Sequence, residues 1–239
     1  MIHQHILAAP KPGMSEFDFQ DYWRYVHALK FARKIPQIRK YKLDLRIDID
    51  NQPHELNFGG IAEIWIENEK DQLDSLKSPE FLEGAKLDEP KWAASWQSLV
   101  IDTESKEIID SQSQEDKDFP EYKTLLFMKR KSGMEIDEFR EYYSKEYSEN
   151  LRQYGEFNKI TCCLTKRNFY KSNIEPSFDS ITHLSFKTLI ELKRFSSTKL
   201  FKELLDPSAN NLTDPWGLVT SSVRSDYIIG PEFREYSNN

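Results

Sequence analysis

A few side chains in this sequence can move protons near neutral pH, and their placement is the first clue to function. His27 lies in YWRYVHAL, one helical turn after Trp23, at the edge of an apolar helix face. An imidazole there titrates near 6.5 in the ordinary case and can serve as general base or acid while staying partly hydrated. The alternative is a structural histidine bonded to a neighbouring backbone group or carboxylate. Glu63 interrupts the apolar run IAEIWI, in a strand that reads as covered on both faces. A carboxylate buried in that way needs a donor or a counter-charge, or it takes up a proton. His183, in SITHLSF, is likewise polar among apolar neighbours. Polar groups at both positions imply either a lined cavity or a contact between two halves of the molecule.

His3 and His5 are two apart on the first strand and share a face, so His5 and Glu63 approach one another if the first and third strands are neighbours. Two histidines and a glutamate could hold a transition metal. Against this, Lys123 and Leu125 stand 120 residues further on at the matching positions, and no tight H-x-x-x-H spacing occurs; no metal is expected. Cys162 and Cys163 are the only cysteines. As neighbours on a strand they point to opposite faces, which excludes a disulfide framework and leaves small buried residues in a reducing compartment. Tyr22, Trp23, Trp65, Trp96 and Tyr147 add aromatic surface, and any that face a cavity, together with His183, would hold a flat apolar ligand. The chain has no G-x-G-x-x-G, G-x-S-x-G or Walker loop and only 8 glycines, so no nucleotide cofactor is expected.

The elements that must position these residues come in two sets. KPGM at Lys11–Met14 reappears as KSGM at Lys131–Met134, and the same offset of 120 pairs Phe19 with Phe139, Tyr22 with Tyr142, Phe58 with Phe178, Ile61 with Ile181, Phe81 with Phe201 and Trp96 with Trp216. Self-similarity at a fixed period is the signature of a repeat. In the first set a strand over His3–Ala9 leads to a helix starting near Ser15, then strands over Ile38–Ile49 and Asn57–Glu67 divided by the polar turn DNQPHE. A helix over Asn68–Leu87, broken at Pro79, and a strand over Ser95–Thr103 complete it. The second set repeats this with strands near Lys123–Lys129, Asn158–Phe169, Phe178–Phe186 and Leu218–Ile229.

The order βαββαβ is the ferredoxin-like unit. The expected fold is α+β: two tandem ferredoxin-like modules, residues 1–105 and 121–230, packed sheet to sheet as an α+β barrel within one chain. Residues 106–120 read as an acidic linker and 231–239 as a tail. Composition agrees with an ordinary globular chain: 239 residues, 38% hydrophobic, 13% aromatic, net charge -7. Without a basic patch a phosphate backbone would be repelled, no apolar run reaches the roughly 18 residues of a membrane span, and the opening MIHQHILAAPK is unlike a secretory signal. The expectation is a cytoplasmic protein with no nucleic acid or membrane partner.

The stretch KPGMSEFDFQDYWRYVHALKFARKIPQIRKYKL resembles the EthD-like members of the dimeric α+β barrel group, whose first helix carries an aromatic segment ending in His, a small residue and Leu. The resemblance puts His27 on the family histidine and Glu63 and Trp65 on matching positions of the third strand; in the second set Tyr147 stands where the histidine would be. It implies a cavity between sheet and helices used without metal or nucleotide, as in polyketide cyclases, dehydratases, decarboxylases, lactone isomerases and cofactor-free oxygenases. The expected function is cofactor-independent cyclisation, dehydration or rearrangement of a hydrophobic carbonyl-bearing substrate. In that scheme His27 moves the proton, and Glu63 and His5 support it. The rivals are a cofactor-free monooxygenase of a phenol and a non-catalytic binder of small ligands. The expected active site lies in the first set, and the expected assembly is a homodimer of the two-module chain.

Overall fold

The computed structural model describes residues 1–50, 56–110, 120–154, 157–171, 175–206 and 211–235; most of the polar turn DNQPHE and of the acidic segment before Pro120 lies outside them. Strand β1 (Ile2–Ala8) leads through Gly13, at φ +83° where a side chain would be strained, into α1 (Glu16–Tyr22). Ser15 caps α1 by accepting from the Asp18 amide, and Glu16 and Asp18 suit the positive helix start. The helix continues as a π-helical stretch, Trp23–Phe31, whose wider turns bring Trp23, His27 and Ala28 onto the buried side. Strands β2 (Lys40–Arg46) and β3 (Gly60–Ile66) follow, then α2 (Glu69–Ser75), a second π-helical stretch (Glu80–Ala85), the short α3 (Lys86–Asp88) and β4 (Leu99–Asp110).

The second half runs β5 (Glu121–Met128), α4 (Ile136–Tyr142), α5 (Ser148–Arg152), β6 (Lys159–Thr165), β7 (Ser180–Phe186), α6 (Leu189–Ser196), α7 (Lys199–Leu204) and β8 (Leu218–Ile229). All strand pairs are antiparallel, in the closed order β1-β3-β2-β8-β5-β7-β6-β4.

The expected α+β barrel is present, and it closes through hydrogen-bonded strands as well as by packing sheet on sheet. Strands β4 and β8 are 12 residues long, and each reaches past its own half to pair with an edge strand of the other, β4 with β6 and β8 with β2. The four edges that stacked sheets would expose are thereby used up. Strand β4 continues to Asp110, and Lys106, Glu107, Ile109 and Asp110 pair with β6 around an irregularity at Ile108, so this stretch is strand and not linker. The segment read as a free tail is also partly docked: Arg234 donates from its backbone to Arg39 O at 2.7 Å and from its guanidinium to Ile38 O at 2.6 Å.

Alternation along each strand separates two environments. One face of β1, β2 and β3 packs Ile6, Ala8, Tyr41, Leu43, Ala62 and Ile64 under the first helices, and the second half builds a larger cluster under its own helices around Phe139, Tyr143, Phe186 and Phe195. The other faces meet inside the barrel. There Leu7, Ile61, Ile101, Leu125, Phe127, Ile181 and Val223 fill one part, and charged and imidazole groups fill the rest. Among the described residues no helix is long and apolar enough to cross a membrane.

Candidate functional site

The sheet has a polar site on each side. On the helix side, His27 Nδ1 lies 3.1 Å from Asp88 Oδ2, and the other carboxylate oxygen accepts from Tyr22 Oη at 2.9 Å and Lys91 Nζ at 3.1 Å. His27 is 7% exposed and Asp88 1%. Burial pulls the His27 imidazole below its usual 6.5, only partly offset by Asp88. Burial pushes the Asp88 carboxyl up, but the bonds from Lys91, His27 and Tyr22 more than offset this and hold it below the ordinary range. The result at neutral pH is a neutral imidazole oriented by an ionised carboxylate, with no protein partner for Nε2 among the described residues. A base and its orienting acid are arranged in this way in proton-transfer sites generally.

His27 borders a cavity of about 90 Å³ lined also by Trp23, Tyr41, Ala62, Ile64, Phe81 and Trp92. Its ring packs against Trp92 with centroids 4.7 Å apart, and Trp92 against Trp23 at 4.8 Å. Trp23 Nε1 donates to Tyr41 Oη at 3.2 Å, whereas the buried Trp92 Nε1 has no acceptor among the described residues. The cavity is smaller than the ~150 Å³ void that admits benzene, so a ring enters only if the lining moves.

Glu63 is not the partner of His27. Ala62 and Ile64 face the helix-side cavity, so Glu63 between them points into the barrel. There Glu63 Oε2 accepts from His3 Nε2 at 2.9 Å and lies 3.5 Å from His183 Nδ1, while Oε1 is bonded by Lys123. Lys123 Nζ also donates to both oxygens of Asp44, at 3.1 and 3.3 Å, and Lys42 pairs with Glu121 at 3.0 Å. His5 faces Glu63 in the strand register, yet its Nε2 contacts His183 Nε2 at 3.0 Å. Both readings of Glu63 and His183 are present: the two side chains meet across the barrel and also line a cavity at its mouth.

The electrostatics follow from burial. Desolvation pushes Glu63 up, but Lys123, His183 and His3 together hold it well below the usual carboxylate range. Desolvation and the charge of Glu63 push Asp44 well above that range. Desolvation pulls Lys123 down, but Asp44 and Glu63 outweigh it and keep it cationic. Desolvation lowers His3 and His5 and brings His183 to about 3. The polar interior opens into a cavity of about 120 Å³ at the barrel mouth, lined by His3, Glu63, Trp65, Lys123 and His183 among others. Trp65 therefore stacks on His3, centroids 4.1 Å apart, away from His27.

The remaining expected ligand contacts divide similarly. Trp96 is 70% exposed and borders neither cavity. Tyr147 is buried in the second half, stacked on Tyr143 at 5.1 Å. Tyr22 acts through Asp88, and Trp23 lines the helix-side cavity. Sequence reasoning missed Asp88 and Trp92. Asp88 is 61 residues from His27, and no local pattern in KLDEPKW marks it; Trp92 was detectable only as one more aromatic beside the pocket-forming ones.

An eight-stranded antiparallel barrel with helices packed outside it is a fold of the dimeric α+β barrel type. Residues 11–95 match the EthD domain. Solved structures with the same fold include an anthrone oxidase-like protein, at 8% identity with a TM-score of 0.63 over 96% of this chain and 93% of that one. A proposed monooxygenase from Fusobacterium nucleatum subsp. nucleatum superposes at 11% identity and a TM-score of 0.61 over 100% and 98% of the two chains. A similarly described protein from Lactobacillus acidophilus does so at 13% and 0.50 over 98% and 99%. No protein of curated function matches this sequence significantly.

Proposed function

We propose that this protein is a small-molecule enzyme in which His27, oriented by Asp88, takes a proton from a hydrophobic carbonyl-bearing or phenolic compound bound in the helix-side cavity. The observation that carries this reading is the 3.1 Å His27–Asp88 contact at the wall of an aromatic-lined cavity. Trp92 Nε1 is the donor proposed for the substrate oxygen, where negative charge collects as the proton leaves. The resulting enolate or phenolate then cyclises, eliminates water or rearranges, and His27 returns the proton. The EthD match over residues 11–95 supports a small-molecule enzyme of this kind.

A second reading shares the first step: the carbanion or phenolate reacts with dioxygen. The names carried by the anthrone oxidase-like and monooxygenase-like neighbours favour it. One experiment separates the readings. A panel of anthrones and aromatic polyketide-like ketones is incubated with chelator-treated protein while substrate loss and oxygen uptake are followed together. Turnover without oxygen uptake supports rearrangement, and stoichiometric uptake supports oxygenation. Binding without turnover would mark a ligand carrier. In either catalytic case His27→Ala should lower kcat by about 10²–10⁴; unchanged turnover in a folded H27A variant refutes the proposal.

The two halves, 1–105 and 121–230, are proposed to be tandem copies of one unit, of which only the first keeps a histidine at the catalytic position. The support is the shared element order, Phe19 and Phe139 both fully buried, and Gly13 and Gly133 at φ +83° and +80°.

A further inference from the structure

We propose that the barrel interior is a binding site for a divalent transition-metal ion of the Zn²⁺ or Co²⁺ type, held by His5, His183 and Glu63. This site lies on the opposite face of the sheet from His27 and is independent of the function proposed above.

The first observation is a hydrogen-bonding conflict. His5 Nε2 and His183 Nε2 are 3.0 Å apart, and His5 Nδ1 is buried without a partner among the described residues. A neutral imidazole carries one proton. If His5 places it on Nε2 to reach His183, its Nδ1 lone pair is unsatisfied; if it places it on Nδ1, that N–H is unsatisfied. Either tautomer leaves a buried polar atom orphaned.

A metal ion bound by both Nε2 lone pairs takes the place of this His–His contact and fixes the proton of His5 on Nδ1. With metal–nitrogen bonds of about 2.1 Å, two such ligands lie about 3.0 Å apart at a right angle and about 3.4 Å apart in a tetrahedron. The observed separation is at the short end of that range. His5, Glu63 and His183 each offer a ligand atom within 4.8 Å of the others. Two imidazoles and a carboxylate form a donor set suited to divalent first-row ions, leaving coordination positions open.

The surroundings also suit an ion. His3 donates to Glu63 at 2.9 Å, the kind of outer partner that fixes a ligating carboxylate. Cys163 Sγ lies 3.8 Å from His183 Nε2 and 3.8 Å from His3 Nδ1 and stands ready as a further donor once it loses its proton. The barrel-mouth cavity reaches His3, Glu63 and His183 and gives an entry path. Lys123, bonded to Glu63 and Asp44, is the cation that an incoming ion must share Glu63 with.

The test uses the untagged full chain, stripped by chelator and titrated with Co²⁺, whose ligand-field absorption reports nitrogen and oxygen ligation; Zn²⁺ is then added in competition. The expected result is saturation at one ion per chain, displaced by Zn²⁺. His5→Gln and His183→Gln should each weaken Co²⁺ binding at least 100-fold, roughly, and His3→Gln about 10–100-fold; His27→Gln should leave it unchanged. A wild-type chain that takes up no Co²⁺, or uptake that survives in a folded H183Q variant, overturns the proposal. If the glutamine variants do not fold, histidine ¹⁵N NMR of the wild type decides. Zn²⁺ should shift the His5 and His183 ring resonances, and a shift confined to His27 overturns the site.

Discussion

Replacing Lys123 by Met tests whether the barrel interior is held by a paired charge. The ammonium sits between Glu63 and both oxygens of Asp44, and the three side chains are 3%, 2% and 0% exposed. Removing it leaves the ionised Glu63 beside the Asp44 carboxyl with no ammonium to neutralise it, and breaking a buried pair from one side costs about 3–5 kcal/mol. For a chain of this size each kcal/mol lowers Tm by about 2–4 °C, so K123M should melt about 6–20 °C below wild type. The pH dependence has a defined sign. Glu63 is depressed in the folded state, so its stabilising contribution is present above its usual 4.5 and is lost as pH falls further. The deficit of K123M should therefore be largest at pH 7 and shrink below pH 4.5. Urea unfolding followed by tryptophan fluorescence and circular dichroism measures it. The triple variant K123M/D44N/E63Q, with no charge left to neutralise, should recover most of the loss. A deficit under about 1 kcal/mol for K123M at pH 7, or a triple variant no more stable than the single one, would refute the reasoning.

Trp92→Phe keeps the ring contact with His27 but removes the unpaired N–H, and should lower kcat by about 10²–10³ with little change in stability; steady-state kinetics on the substrate found by the panel checks it. The acid limb of kcat/KM should fall below pH 6.5, because burial lowers His27 and the base remains neutral to a lower pH. Stability should decline as pH drops from 6.5 towards 3, since His183 is depressed to about 3 and the unfolded chain binds its proton first. That gap corresponds to at most about 5 kcal/mol, and H183Q should flatten the urea-measured profile over this range. Gly60→Ala would place a Cβ 2.8 Å from Asp44 O and 3.1 Å from Trp23 Cζ3, so a destabilisation of about 1–3 kcal/mol is expected in the same denaturation assay.

Strand and helix order was legible because local pattern carries it. Apolar runs punctuated by KPGM, KSGM and cap residues such as Ser15 and Asn68 mark the elements, and the offset of 120 residues doubles every signal. His27 was legible as a group able to titrate at the edge of an apolar helix face, and the structure buries it there. Its carboxylate partner was not, since Glu63 and Asp88 are both far away in sequence and only chain tracing tells which is near. Alternation in YKLDL indicates that Lys42 and Asp44 share a face opposite Tyr41 and Leu43, but cannot say whether that face meets water or a closed polar lumen.

Residue chemistry, period and spacing are local quantities, and the sequence alone determined what depends on them: the element order, the apolar faces and the identity of the groups able to titrate. Tertiary structure decided the partners. Closure of β4 on β6 and of β8 on β2 turned two polar strand faces into one buried interior, and so joined His5 to His183 and Glu63 to Lys123 across 178 and 60 residues. The same sheet separated Glu63 from His27, because adjacent residues on a strand face opposite sides, and a carboxylate beside a histidine in expectation became a carboxylate behind a wall of Ala62 and Ile64.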